Sequence, residues 1–484
     1  MKREVLTKRK KRRIEQITGR DTRTIKHYLK VIKHNRDNIV TKTRNGETRV
    51  NKSKLDKLTL TTTKGKDRRT TVTHDMKKKF SRSSHDELQE CRDKAVAIFN
   101  SQNQVNSRQG KLHSHHRRKI PRTQSANKER FKLVCVNENK SSEESNKLAR
   151  WWVGIRDSLD TNINNSNRHQ RLWLPLALSP YHEKEMKKGK FQALELLYYP
   201  HTKEWWIHLI ILITPQNYHS CRPPAVLGID LGINKRAATA LLTPRKRIYR
   251  REIKFWSGNL RKRLLEKYDE KLAQWQKKER KTALNSKEYV KTLLTLRNVR
   301  KRFKCELAKN DNEFAKKLVK YILSLSKKYD LYVVIGYPYH IRNQHRRGNK
   351  HPRHRKRVHR WNYRRIIALI KYKLALKGFQ AHRVLAISES WTSKTCSKCG
   401  TYNTLRSHQS SFVCLQCGYK LNADLNGAKN ISKRLISYVL EPKYSTIKDQ
   451  LTGRYFKIDL FRGFNVFSQW LNTCNTLSSS TTVK

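Results

Sequence analysis

"AVLGIDLGI", residues 225–233, is an apolar strand broken near its end by a single acid, Asp230. An apolar run of this length suits a strand buried on both faces of a sheet. Working outward, "RAATALLT" (236–243) and "IYRREIKFW" (248–256) read as two more strands, joined as a hairpin by "PRKR". Residues 258–328 then read as long, highly charged helices. In the last of these Phe314, Leu318, Tyr321, Ile322 and Leu325 share one face, and Asn310 with Glu313 resembles a capping box at its start. "LYVVIG" (331–336) is the next strand, and it ends in glycine. "WNYRRIIALIKYKLALKG" (361–378) is an amphipathic helix with Gly378 placed as its C-cap. "QAHRVLAIS" (380–388) is a further strand, and "LNGAKNISKRLI" (425–436) a last helix.

Three strands, helices, strand, helix, strand, helix is the order of an RNase H-like α/β fold: an antiparallel trio, then parallel strands joined by helical crossovers. Acids at the carboxyl ends of neighbouring parallel strands then face one crevice. Cleavage of a phosphodiester by two metal ions needs such carboxylates converging on cations about 4 Å apart, and hard divalent cations prefer oxygen ligands. Asp230 fits that role, though a lone acid at a strand end is also a common surface feature. Asp424 stands at the start of the last helix, where the helix dipole favours any acid.

Between these two acids lie "CSKC" (396–399) and "CLQC" (414–417), two CxxC pairs separated by fourteen residues. Cys396, Cys399, Cys414 and Cys417 at that spacing suit one tetrahedral zinc ion. Four protein ligands leave no open position, so this zinc is structural and staples a ribbon too short to fold alone. Cys91, Cys135, Cys221, Cys305 and Cys474 are scattered, and read as buried small thiols in a reducing compartment.

"GIDLGI", "SWTSKTCSKCG" and "FVCLQCGYKLNADLNGAKNI" together resemble the transposon-associated OrfB/TnpB family and its relatives, the type V CRISPR effectors and the Fanzors. The resemblance covers about 225–437. It implies an RNA-guided DNA endonuclease whose split RuvC domain is interrupted by a zinc ribbon, with Asp230 as the first catalytic carboxylate and Asp424 as the third. "WWIHLIILI" resembles the strands of the family's wedge domain.

The family's usual second carboxylate, a glutamate, would end the strand that here ends in Gly336. Asp330 precedes that strand and lies roughly 20 Å from its other end at strand rise. Glu389 follows "HRVLAIS", the adjacent parallel strand roughly 4.8 Å away. Its side chain can reach across, and Gly336 leaves it room. "SESWTSKTC" resembles family members that use this alternative position. Asp230, Glu389 and Asp424 are therefore the expected catalytic set, holding two Mg²⁺ ions: one lowers the pKa of the attacking water, the other stabilises the leaving 3′ oxygen.

Lysine and arginine total 109 against 38 acids in 484 residues, a formal net charge of +71. Such an excess self-repels unless a polyanion neutralises it, and nucleic acid is the polyanion it suits; the family resemblance implies guide RNA and target double-stranded DNA as the partners. The longest apolar run, Trp206–Ile213, is interrupted by His208 and too short to span a bilayer, so no membrane is expected as a partner. No apolar signal-peptide core follows the basic N-terminus. A cytoplasmic or nucleoid location is expected in a prokaryote, a nuclear one in a eukaryote. "LHSHHRRK" (112–119) and "HRRGNKHPRHRKRVHR" (345–360) read as phosphate-binding loops in preference to metal sites, because arginines beside the histidines repel cations.

The expected organisation is a basic N-terminal extension over 1–85, disordered or folding on RNA, and a mixed helical and β-barrel recognition and wedge region over 86–224. A RuvC-like nuclease spans 225–390 and 421–440, with the zinc ribbon over 391–420 between its parts. A C-terminal extension covers 441–484. A helix is expected near 86–102 and a hairpin over 191–213, with Trp205 and Trp206 as core and cross-strand packing. Two other functions fit parts of the pattern: a guided DNA-binding protein that does not cut, and a transposase-like protein acting without guide RNA.

Overall fold

The computed structural model describes residues 7–42, 48–62, 69–109, 122–125, 131–135, 149–156, 171–199, 204–218, 222–243, 253–284, 286–339, 341, 352–408, 410–440 and 446–456. The chain divides into two compact units, 1–214 and 215–484.

The first unit corrects the expectation of a disordered N-terminus. Helix α1 (Lys8–His34) buries Ile14, Ile17, Ile25, Tyr28 and Ile32. Its apolar residues are few but fall on one face, a pattern that average composition hides. The polar residues sharing that face are satisfied: Thr18, Thr22 and Thr24 donate to carbonyls four residues back. Arg20 pairs with Asp21 and with Glu87 of α2 (His85–Gln109), at 3.0 and 2.9 Å. The two helices share a core that includes Tyr28, Leu55, Met76, Leu88 and Phe99.

The β-barrel expected in the wedge region is, among the described residues, two three-stranded antiparallel sheets. Strands β1 (Arg122–Ser125), β5 (Lys190–Tyr199) and β6 (Glu204–Leu212) form one. Strands β2 (Phe131–Cys135), β3 (Trp151–Arg156) and β4 (Arg171–Leu176) form the other. Both contribute to a single core holding Val153, Leu174, Leu194 and Trp205. Alternation along β6 buries Trp205 in the core and turns Trp206 outward, half exposed, where it packs across strands on Tyr199 with ring centroids 5.9 Å apart.

The second unit contains a five-stranded sheet of order β9-β8-β7-β10-β11. Its strands are β7 (Pro224–Leu231), β8 (Lys235–Leu242), β9 (Ile253–Ser257), β10 (Asp330–Tyr337) and β11 (Val384–Ser388). The first three are antiparallel, and β7, β10 and β11 run parallel, as expected from the element order. Helices α3 (Asn259–Lys281) and α4 (Lys287–Ser326) follow β9. The supposed capping box at Asn310 is a correction: α4 runs unbroken through it, and the Asn310 side chain instead accepts from Arg236 at 2.5 Å. Helix α5 (Pro352–His359) takes the second half of the basic stretch at 345–360; residues 345–351 and 112–119 lie outside the described residues.

Helix α6 (Tyr363–Ala375) packs with α4 on one face of the sheet, against Leu227, Ile229, Val333 and Ile335. Gly378 lies just beyond it with φ +88°, and a Cβ there would sit 2.0 Å from the Gln216 carbonyl oxygen. The ribbon strands β12 (Thr404–Leu405), β13 (Ser411–Cys414) and β14 (Lys420–Asn422) lead directly into α7 (Ala423–Leu440). Helix α7 covers the other face of the sheet through Ile431, Leu435 and Ile436. Of the scattered cysteines, Cys91 is buried but Cys305 is exposed. No described helix is long and apolar enough to cross a membrane.

Candidate active site

The register of the sheet decides which side chains meet. Ile229 pairs with Ile335, so Asp230 is followed across the sheet by Gly336, and Gly336 pairs with Ile387 of β11. Paired residues of neighbouring strands share a face, and Glu389, two residues beyond Ile387, returns to it. That face is the one α7 covers, and Asp424 lies in the first turn of α7. The Asn422 side chain caps this turn by accepting from the amides of Asp424 and Leu425, at 3.1 and 3.4 Å.

Two glycines make the space. A Cβ at Gly336 would sit 2.9 Å from Glu389 Oε2 and 2.7 Å from Ile431 Cδ1. The Glu389 carboxylate therefore lies over the end of β10, where a side chain at 336 would begin. A Cβ at Gly427 of α7 would sit 2.5 Å from Asp230 Oδ2, so this glycine admits the Asp230 carboxylate against the helix. Asp330 is at the far end of β10, ion-paired with Arg383 at 2.6 Å.

Electrostatics reflects this crowding. Burial first, then the Glu389 and Asp424 carboxylates, hold the Asp230 carboxyl well above its ordinary range, against Arg406. Burial pushes the Glu389 carboxyl up to about 7, against the pull of Arg434. Glu389 Oε2 is buried and accepts no hydrogen bond. A buried anionic oxygen with no donor fits a cation as its partner. Asp424 Oδ2 is 3.6 Å from Lys235 Nζ.

The pH dependence of stability follows from Glu389. Its raised pKa contributes stability that is full below the ordinary value of 4.5 and lost as pH rises through about 7. Glu389→Gln removes that loss. In melts without added magnesium, the variant should gain on the wild type between pH 5 and 8, by on the order of 1–3 kcal/mol. A difference that stays flat across this range would show that the carboxyl is not buried.

Gly336→Ala should lower stability by about 1–3 kcal/mol through overpacking, because the new methyl meets both Ile431 and Glu389. Chemical denaturation measures the loss, and an unchanged midpoint would show that Glu389 does not occupy this space.

The four cysteine sulfurs all lie within 4.8 Å of one another, with Cys396 to Cys417 at 3.8 Å and Cys399 to Cys414 at 3.5 Å. A zinc–sulfur distance of about 2.3 Å in a tetrahedron spaces the sulfurs by about 3.8 Å. The thiols are thus set to hold one metal ion. Among the described residues they are the one group of three or more His, Cys, Asp or Glu side chains drawn so close; Asp230, Glu389 and Asp424 do not form such a group, although the charges of Glu389 and Asp424 both act on Asp230.

Several residues that pattern alone did not single out build this region. Asn426, fully buried, donates to the carbonyls of Thr395 and Thr392 and accepts from the Ser397 amide. Asn430, one turn on, donates to the same two carbonyls at 2.7 and 2.8 Å. Lys433 donates to Ser397 O at 2.6 Å. Arg434 brackets Glu389 by donating to the carbonyls of Ser388 and Ser390, at 2.6 and 2.8 Å. The isolated Gly427 within a helical pattern was the legible hint of a close approach.

Residues 363–431 match the family described as the Cas12f1-like TNB domain. A CRISPR-associated endodeoxyribonuclease Cas12f2 of a Micrarchaeota archaeon is 38% identical over 82 residues, 16% of this chain and 14% of the relative. A Cas12f1 endodeoxyribonuclease of Sulfoacidibacillus thermotolerans is 38% identical over 73 residues, 15% of this chain and 17% of the relative. The matched segments thus span less than a fifth of each relative. A solved Cas12f1–sgRNA–target DNA complex aligns over 71% of this chain and 70% of its own, at 16% identity and a TM-score of 0.46. The segment that joins the four cysteines to Glu389 and Asp424 is a match to the Cas12f1-like TNB domain, and the chain resembles the TnpB-like relatives of the type V effectors.

Proposed function

We propose that this chain is an RNA-guided DNA endonuclease of the RuvC type, associated with a transposable element. Asp230, Glu389 and Asp424 hold divalent magnesium at the cutting site, and Cys396, Cys399, Cys414 and Cys417 hold structural zinc. The observation that carries the reading is the Glu389 carboxylate lying over Gly336, on the sheet face that also bears Asp230 and the first turn of α7. It restores an acid to the strand end that lacks one.

Magnesium, when bound, supplies the positive charge that favours ionisation of the attacking water and offsets charge on the leaving oxygen. The chain's part is to orient its carboxylates. Gly336 and Gly427 admit two of them, Asn422 fixes the helix turn of the third, and Arg434 holds the backbone on either side of Glu389. A net charge of +71 supports a large polyanionic partner, and the Cas12f relatives support guide RNA and target DNA as that partner.

The test is to purify the full-length protein with the RNA that accompanies it, sequence that RNA, and supply matching plasmid with magnesium. The reading expects RNA from a transposable element's own end and 5′-phosphate, 3′-hydroxyl products. Repeat-derived RNA would place the chain with CRISPR effectors, bound RNA without cutting would make it a guided binder, and absence of RNA would overturn guidance.

A further inference from the structure

Strand β11 is the outermost of the five-stranded sheet, and Glu389 lies just beyond its end. In a strand the amide and carbonyl of one residue point to the same edge, alternating along the chain. Glu389 turns its amide inward, to Tyr337 O at a long 3.4 Å. Ala386 and Ser388 therefore point outward, where no described strand pairs with them. A hairpin beyond α7 takes that place. Its strands are β15 (Ile447–Lys448) and β16 (Tyr455–Phe456), within the extension expected over 441–484. Asp449, at its turn, is fully buried, and its two oxygens have separate tasks. Oδ1 accepts from the Leu451 and Thr452 amides and the Thr452 hydroxyl, at 3.2, 2.9 and 2.9 Å, which fixes the turn. Oδ2 accepts from the Ala386 amide at 2.9 Å and from Lys371 of α6. The Gln450 amide donates to Ala386 O at 2.8 Å, so both backbone groups at the centre of β11 are bonded from outside. The hairpin also grips both faces of the sheet. Ile447 joins the core of Ile387 and Leu435 on the α7 side, and Leu451 packs against the core on the α6 side.

We propose that this hairpin is a clasp on the sheet's edge, and that Asp449 is a positioning residue for Glu389, holding β11 in the register that lays the Glu389 carboxylate over Gly336. The inference rests on the nuclease reading for what Glu389 does. Register matters because a slip of one residue turns every side chain of a strand to the other face. Glu389 would then leave the face that bears Asp230 and the first turn of α7. The pairing of β10 with β11 covers five residues, Val333–Tyr337 with Val384–Ser388, and has no further strand behind it. Ala386 is three residues before Glu389, and Arg434 holds the next outward carbonyl, Ser388 O, at 2.6 Å. A buried ion pair is a poor source of stability, because desolvation offsets its attraction. What Asp449 and Lys371 supply is a fixed place for Oδ2, and through it for the strand.

The test uses the full-length protein with its bound RNA and no DNA. Amide exchange reads the strand, and polypeptide scission by iron(II) with ascorbate and peroxide, mapped by fragment size, reads metal occupancy of the crevice. In Asp449→Asn the peptide over 384–390 should exchange about tenfold faster while β7 is unchanged. The iron concentration for half-maximal scission should rise about tenfold, as for loss of a group that orients a ligand. Because Asp449 acts through Glu389, adding Asp449→Asn to Glu389→Gln should raise it no further. Asp330→Asn, which loosens the far end of β10, should lower the melting temperature and leave the iron midpoint in place. Lys371→Met keeps the hairpin's backbone bonds and should show the same pattern at about threefold, so the test survives if Asp449→Asn does not fold. An Asp449→Asn protein that melts earlier with an unchanged iron midpoint, additive shifts in the double variant, or unchanged exchange over 384–390 would overturn the proposal. A midpoint that Glu389→Gln itself leaves unchanged overturns the reading of Glu389 as a ligand, and the positioning role with it; a shift in Glu389→Gln but none in Asp449→Asn or Lys371→Met overturns the clasp alone.

Discussion

Glu389→Gln is expected to abolish cleavage of matched plasmid, by about a thousandfold or more in single-turnover rate, while the protein still purifies with its RNA. Glutamine keeps the shape of the side chain and removes only its charge and one acceptor. Its amide nitrogen would face the position where Glu389 Oε2 is buried with no donor, and an amide nitrogen does not ligate a hard cation. A thousandfold corresponds to about 4 kcal/mol of transition-state stabilisation, a size typical of removing one charged group from a metal-dependent site. The control is Asp330→Asn. Asp330 sits at the other end of β10, tied to Arg383, so its loss should lower stability but leave cutting within a few-fold. Equal cleavage by Glu389→Gln and wild type would remove Glu389 from the site, and a dead Asp330→Asn with normal stability would put the second acid at the wrong end of the strand.

The sheet was legible because each of its strands is a short apolar run with clear punctuation, and because the order of elements admits few topologies. The position of Glu389 beside Gly336 was legible for a related reason: a glycine ending one parallel strand directs attention to the acid ending its neighbour. What pattern did not reveal is how the carboxylates are accommodated. Gly336 and Gly427 matter through what a Cβ would strike, and that depends on helix–sheet distance, which no spacing encodes. Asn426 and Asn430 look like ordinary polar residues of a helix until the ribbon's leading loop is laid beside them. The N-terminal region misled for a compositional reason. Buried threonines bonded to their own helix and an Arg20–Glu87 pair let a Lys-, Arg- and Thr-rich segment carry a core face. The capping box at Asn310 failed because Arg236 and Asp311 hold that stretch inside a continuous helix.

Removing the metal from the cysteine cluster, by chelation or by Cys414→Ser, is expected to cost cleavage at least a hundredfold although no cysteine touches the carboxylates. A ribbon of this size lacks the core to hold itself, and structural zinc contributes about 10–16 kcal/mol of apparent binding energy to such folds. The route to the site runs through α7. Strand β14 ends at Asn422, paired with Ser411 at the start of β13; the Asn422 side chain caps the turn bearing Asp424, and the Ala423 amide donates to Ser410 O at 2.9 Å. The loop that leaves Glu389 and enters the first cysteine pair is held by Asn426, Asn430 and Lys433. Losing the ribbon therefore loosens both ends of the crevice at once, Glu389 through that loop and Asp424 through its cap. Metal analysis should find one zinc per chain in the active protein, and readdition of zinc to the chelated wild type, but not to Cys414→Ser, should restore cutting. A zinc-free protein that cleaves at the native rate would mean that α7 holds Asp424 in place without the ribbon, contrary to the hydrogen bonds that join them.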